Sequence, residues 1–220
     1  MAEVLNDRRQ LLRLVTAGLA LILLWEMSGG DLWLMQQFGN VHGFALREQW
    51  WLRVLLHEGL RQLAIAAYVY LLIGIWRPLP GLRGCTRTQR IEMFCGVTLS
   101  LLLVSGLKSL SLTSCPWDLA QFGGVASYVP HWLQGISDGG PGRCFPSGHA
   151  SAGFAFLSVA AAVGQQALQR RVLITVLLFG MLCGVAQLLR GAHYPSHVMW
   201  TAWLCGVIAL FNHGLFKWLR

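Results

Sequence analysis

Three short segments of this 220-residue chain place basic residues beside histidines at spacings that suit catalysis. They are residues 108–118, 142–149 and 187–197. Their chemically active side chains and backbone groups are Lys108 and Asp118 in the first segment, Arg143, Ser147, Gly148 and His149 in the second, and Arg190, His193 and His197 in the third.

These residue types are suited to phosphoryl transfer. Lys and Arg side chains neutralise phosphate oxygens, and two histidines can divide the roles of nucleophile and general acid. The backbone N–H groups of residues 147–149 open a predicted helix, and such groups bind anions. Ser147 also suits the N-cap of that helix, a role compatible with phosphate binding.

The composition indicates that a membrane positions these segments. The chain is 55% hydrophobic and only 12% charged, and its mean hydropathy is +0.54. Soluble domains carry about 25% charged residues. We therefore expect a single integral-membrane domain over residues 1–220.

Six hydrophobic runs approach the roughly 20 residues that a helix needs to cross a bilayer. They predict an all-α bundle with spans at residues 11–27, 60–76, 91–107, 149–168, 172–189 and 197–218. Residues 44–56 have apolar side chains at helical spacing and two adjacent tryptophans, which predicts a further helix lying in the outer interface.

The charges predict the orientation of the bundle. If the N-terminus is cytoplasmic, six of the 17 Lys and Arg residues fall on the outer side and the remainder on the cytoplasmic side, as the positive-inside rule favours. Both termini are then cytoplasmic and the three segments lie outside. The outer cations are Arg47, Arg53, Arg61, Lys108, Arg143 and Arg190. Because most of the +8 net charge orients the chain, we do not expect nucleic acid as a partner.

The segments resemble the type-2 phosphatidic acid phosphatase / vanadium haloperoxidase superfamily. The family pattern is Lys, six residues, Arg-Pro; then Pro-Ser-Gly-His; then Ser-Arg, five residues, His, three residues, Asp. This chain has Pro-Ser-Gly-His at residues 146–149, Lys108 separated by six residues from Cys115-Pro116, and His193 separated by three residues from His197. The resemblance covers about residues 108–200.

The resemblance implies a mechanism without metal or other cofactor. His193 would attack phosphorus and become a phosphohistidine. His149 would protonate the leaving oxygen and then activate water. Lys108, Ser147 and the Gly148 N–H would hold the phosphate oxygens.

The chain departs from the family at two arginine positions, which are Cys115 and Gln187 here. Arg190 and Arg143 flank the motif histidines and are the candidates to replace the lost guanidinium. The family's Asp is also replaced, by His197. Either His197 or Asp118 is expected to fix the tautomer of His193.

The positions of the six cysteines predict a disulfide. Only Cys115 and Cys144 fall in the outer segments, and each lies close to a motif. In an oxidising compartment such as a bacterial periplasm they can pair.

The sequence thus predicts a lipid phosphatase of a bacterial inner membrane, with a periplasmic active site. Candidate substrates are undecaprenyl diphosphate, phosphatidylglycerol phosphate, phosphatidic acid and lipid A. Two alternatives stay open. The phosphohistidine could transfer its phosphate to another lipid, or the chain could be a lipid transporter or flippase that uses the basic cluster for binding alone. The sequence does not determine the oligomeric state.

Overall fold

The chain is mostly helical, with 68% of residues in helices and only one two-stranded sheet. The computed structural model describes residues 8–133 and 135–219, so Arg220, predicted to be cytoplasmic, lies outside the described residues. The helices are α1 (Arg8–Met27), α2 (Gly30–Gln36), α3 (Leu60–Gly74), α4 (Arg87–Leu110), α5 (Gly148–Phe154), α6 (Leu157–Ala162), α7 (Gln166–Leu189) and α8 (Pro195–Trp218).

Four of these helices are long and apolar enough to cross a membrane: α1 from Arg9, α4, α7 and α8. The six predicted spans are therefore supported only in part. The predicted second span is the 15-residue α3, and the predicted fourth span is the short apolar segment Gly148–Ala162.

The predicted boundary between the fourth and fifth spans is wrong. The helical segment Gly148–Ala162, made of α5 and α6, ends at Ala162, and α7 begins at Gln166, so the predicted end at residue 168 lies inside α7. Gly164 and Gln165 are exposed in the connecting turn. The sequence stays apolar on both sides of this turn, so hydropathy alone does not indicate where the turn lies.

The predicted interfacial helix at residues 44–56 is also wrong in its bounds. Strands β1 (Gly39–Asn40) and β2 (Gly43–Phe44) form a hairpin, and a turn follows. The helix that begins at Trp51 is a π-helix to Gly59 and continues directly into α3. Phe44 does not join this helix because its ring is buried against Phe122, with the two centroids 4.9 Å apart.

The long helices pack around α8, which contacts α1, α4, α5, α6 and α7. A capping box at Thr86 starts α4, and the Gln89 side chain of that box donates to the carbonyl oxygen of Ala162. This bond links the start of α4 to the end of α6. The apolar core between them includes Met93, Val97, Phe154 and Cys205.

Helices α5 and α7 approach with their backbones almost in contact. A Cβ atom on Gly153 would lie 2.3 Å from the Cα atom of Gly180, so only glycine allows this distance. Since α5 carries His149 and α7 ends beside Arg190, the contact fixes the two parts of the site relative to each other.

Candidate active site

The three sequence segments meet at one end of the bundle. Lys108 is near the C-terminal end of α4, and His149 is the second residue of α5. Arg190 ends α7, His193 lies in the turn that follows, and His197 is in the first turn of α8. All of the predicted catalytic side chains thus lie at helix ends, on the same end of the bundle.

The Lys108 side chain extends over the first turn of α5. A Cβ atom on Gly148 would lie 3.5 Å from Cδ and 3.9 Å from Nζ of Lys108. Ser147 is fully buried, and its Oγ accepts a hydrogen bond from the Ala150 N–H at 3.4 Å. Ser147 therefore caps α5, while Lys108 brings a positive charge to the same turn.

His193 is buried, with 5% of its surface exposed. Its Nδ1 atom lies 3.6 Å from Sγ of Cys144. Burial lowers the pKa of His193 well below its ordinary value, and the charges of Lys108 and His149 lower it further. At neutral pH the ring is therefore uncharged, as a nucleophile must be.

The two residues expected to orient His193 make other contacts. Nδ1 of His197 lies 3.1 Å from the carbonyl oxygen of Cys144, and the His197 and His193 ring centroids are 5.9 Å apart. Oδ2 of Asp118 accepts from the Cys115 N–H at 3.2 Å. Within residues 8–133 and 135–219, neither side chain is hydrogen-bonded to His193.

A disulfide joins Cys115 to Cys144, the pairing that the sequence predicts. It ties the Lys108 segment to the Pro-Ser-Gly-His segment. The two sulfurs and a ring nitrogen of His193 lie within 4.8 Å of one another. Because disulfide sulfurs are not thiolates, this cluster is poorly suited to hold a metal ion.

His149 is held by the π-helix. Its Nε2 atom lies 3.4 Å from the carbonyl oxygen of Leu56. Its ring stacks on the ring of His57, with the centroids 4.3 Å apart and an angle of 19° between the planes. Two successive residues of one helix therefore position a single imidazole.

The two candidate arginines differ in their surroundings. Arg190 is buried; its Nε donates to the Arg47 carbonyl oxygen at 2.9 Å and its NH1 to Oε1 of Gln187 at 3.4 Å. Its guanidinium carbon lies 5.9 Å from the centroid of the Trp117 ring. The Arg143 side chain is exposed and makes no hydrogen bond or ion pair with the part of the chain that is described.

A comparison with protein families identifies the family of this chain. A family model described as PAP2 superfamily matches residues 91–220, more than half of the chain. The chain belongs to the PAP2 superfamily. Comparisons with curated proteins and with solved structures gave no match.

The PAP2 match covers α4 to α8 and thus all three motif segments. It begins after the π-helix, so His57 and Leu56 lie outside the matched region. Sequence analysis gave no reason to single out His57, because nothing near it in the chain indicates that it meets His149, 92 residues later. The sequence indicates only that Gln187 stands where the family has an arginine. In the structure, its side chain contacts both His57 and Arg190.

Proposed function

We propose that this PAP2 protein is an integral-membrane lipid phosphatase. It removes phosphate from a lipid phosphate or diphosphate through a phosphohistidine on His193. The observation that carries the proposal is the buried, uncharged His193 beside Lys108 and His149. A nucleophile, a cation and a second imidazole are the groups that metal-independent phosphoryl transfer requires.

In the first step the free nitrogen of His193 attacks phosphorus, and the bond from phosphorus to the lipid oxygen breaks. Burial lowers the pKa of His149 to about 4, and the negative charge of a bound phosphate raises it again, so that protonated His149 gives its proton to that oxygen. In the second step His149 takes a proton from water, whose oxygen attacks phosphorus; the bond from phosphorus to the His193 nitrogen breaks, His193 regains its electron pair, and inorganic phosphate is released. Lys108 and Arg190 stabilise the charge on the phosphate oxygens throughout.

A lipid substrate is supported by the surroundings of the site. Four helices can span a bilayer, and an apolar cavity of about 690 Å³ lies between α3 and the α5–α7 region. Gly153, one turn beyond His149, lines this cavity together with Leu71, Phe156 and Val159. We infer that lipid chains occupy apolar space of this kind while the phosphate reaches the histidines.

The test is phosphate release by purified protein in detergent. The substrates are undecaprenyl diphosphate, phosphatidylglycerol phosphate, phosphatidic acid and lipid A. We expect release from at least one of them and complete loss in His193→Ala. His149→Ala should also lose phosphate release, because His149 supplies the proton in the first step and accepts one in the second; brief incubation of the wild type should label His193 in an acid-labile, base-stable form. His42→Ala is the matched control, because His42 is exposed and its imidazole makes no hydrogen bond with the described residues, whereas its backbone N–H donates to Asn40.

Full activity in His193→Ala would contradict the mechanism. Appearance of the phosphate on a second lipid, instead of in solution, would indicate phosphotransfer. Movement of lipid between leaflets with no phosphate release would favour a transporter.

We further propose that the site faces the periplasm and that both termini are cytoplasmic. The bond from Trp203 Nε1 to the Val15 carbonyl oxygen and the bond from Trp200 Nε1 to Glu26 show that α1 runs antiparallel to α8. The start of α1 and the end of α8 therefore lie opposite the site. A C-terminal green fluorescent protein should fluoresce, and a C-terminal alkaline phosphatase should be inactive; the reverse result would invert the orientation.

A further inference from the structure

His57 belongs to the π-helix, outside the region that matches the PAP2 family, yet its ring lies flat against the ring of His149. Stretches of π-helix occur often at functional sites. Here the π-helix presents a carbonyl oxygen, that of Leu56, and an aromatic ring, that of His57, to the same histidine.

A chain of hydrogen bonds sets the tautomer of His57. NH1 of Arg190 donates to Oε1 of Gln187, which turns the amide nitrogen of Gln187 toward Nδ1 of His57, 3.0 Å away. Because an amide nitrogen can only donate, Nδ1 of His57 must accept. The ring proton is then on Nε2, which lies 3.4 Å from Oε1 of Glu58.

The charges around His57 also keep it uncharged. Burial lowers its pKa and Arg190 lowers it further; Glu58 opposes this effect and Arg61 adds to it. His149 and His193 also face it from α5 and from the turn before α8. Two cations and two imidazoles thus oppose a single carboxylate.

We propose that His57 is a positioning residue: an uncharged aromatic surface against which His149 is held while it carries the catalytic proton. This inference rests on the proposed phosphatase activity. An imidazolium is attracted to the face of a neutral ring but repelled by a second cation. Gln187, at a family arginine position, then has a role of its own, because an amide donor at Nδ1 favours the neutral form of His57.

Three variants of the full-length protein test the proposal. His57→Phe keeps a flat ring, His57→Met keeps a similar reach without a ring, and His57→Lys adds a charge. We measure kcat, KM and the pH dependence of kcat with the best substrate of the panel. Elution as a single peak in detergent shows that each variant is folded.

We expect His57→Met to lower kcat about tenfold with little change in KM. This loss is smaller than the whole contribution of a general acid, because His149 itself is still present. His57→Phe should recover most of this loss. A general acid must be protonated, so the alkaline limb of the kcat profile reports on His149. His57→Lys should move that limb about one pH unit lower and His57→Met should move it lower by less, because the ring that attracts the imidazolium is lost, whereas His57→Phe should leave it in place.

Equal losses in Phe and Met would overturn the proposal, because a ring nitrogen would then be required. An unchanged kcat in His57→Met, or a change in KM alone, would also overturn the proposal. An alkaline limb of the kcat profile that does not move in His57→Lys would overturn it as well. Wild type and His193→Ala are assayed in parallel. An inactive wild type would refute the phosphatase, whereas an active wild type with unaffected His57 variants would refute only the role of His57.

Discussion

The Nδ1 atom of His193 lies 3.6 Å from the Sγ atom of Cys144. The proposed nucleophile therefore has one ring nitrogen against the disulfide, which leaves Nε2 for phosphorus. His197 contacts the backbone carbonyl of the same cysteine. The sequence predicts that His197 or Asp118 lies beside the nucleophile. In the structure, Cys144 lies there.

Loss of the disulfide should reduce both stability and activity. The bridge closes a loop of 29 residues, for which the chain-entropy model gives about 3 kcal/mol. We expect Cys115→Ser and Cys144→Ser to lower the midpoint of thermal unfolding, and Cys144→Ser to lower kcat more, because Sγ of Cys144 lies 3.6 Å from Nδ1 of His193. Cys85→Ser, which alters a free cysteine, is the control. Two free thiols in a peptide map of the native protein would contradict this prediction.

The acid limb of kcat/KM should lie below pH 6.5. Burial, with the charges of Lys108 and His149, lowers the pKa of His193, so this nucleophile becomes protonated only in more acidic solution. Lys108→Gln removes one of these positive charges. The pKa of His193 should then rise, and the acid limb should move to higher pH. Histidine NMR titration in detergent gives the same pKa without substrate, and an acid limb that stays in place would show that Lys108 does not act on His193.

Arg190 should matter far more than Arg143. Arg190 is buried beside Gln187, and its charge acts on both His57 and His149. A hydrogen bond from a charged donor contributes about 1.5–3 kcal/mol. Its loss in Arg190→Ala should therefore lower kcat/KM about 10- to 100-fold. Arg143→Ala should change kcat/KM less than about threefold, as surface substitutions usually do. The opposite ranking would make Arg143 the substitute for the lost family arginine.

Gly153→Ala should destabilise the bundle. The new methyl group would meet the backbone of Gly180, and overpacking of this kind costs about 1–3 kcal/mol. Gly214→Ala is the matched control, because Gly214 is also helical and has nothing within 4 Å of an added Cβ. Thermal unfolding in detergent should separate the two variants, and equal midpoints would mean that α5 and α7 move apart at little cost.

Much of the site could be predicted because helix ends determine it. Lys108, His149 and His193 each lie at the end of a hydrophobic run, and antiparallel helices bring such ends together. The Cys115–Cys144 pair followed from the location of all six cysteines.

The features that the sequence does not predict depend on contacts between distant residues, which leave no local pattern in the sequence. Nothing near His57 indicates a partner 92 residues away. The Phe44 ring at the hairpin packs against Gly191, where an added Cβ would lie 2.3 Å from the ring, so this contact requires glycine. An amphipathic pattern alone cannot reveal such a contact, and it predicted a helix instead.

The helical segment Gly148–Ala162 also determines how deep the reaction takes place. Its 15 residues rise about 22 Å, less than the roughly 30 Å of hydrocarbon in a bilayer. The turn at its far end exposes the polar side chains of Gln165 and Gln166. If this turn lies at the membrane surface, we expect His149, at the other end of the segment, to lie below the level of the headgroups on its own side. The substrate phosphate would then have to move several ångströms toward the hydrocarbon to react, and the lipid product, with less charge than the substrate, would return to the headgroup level less readily.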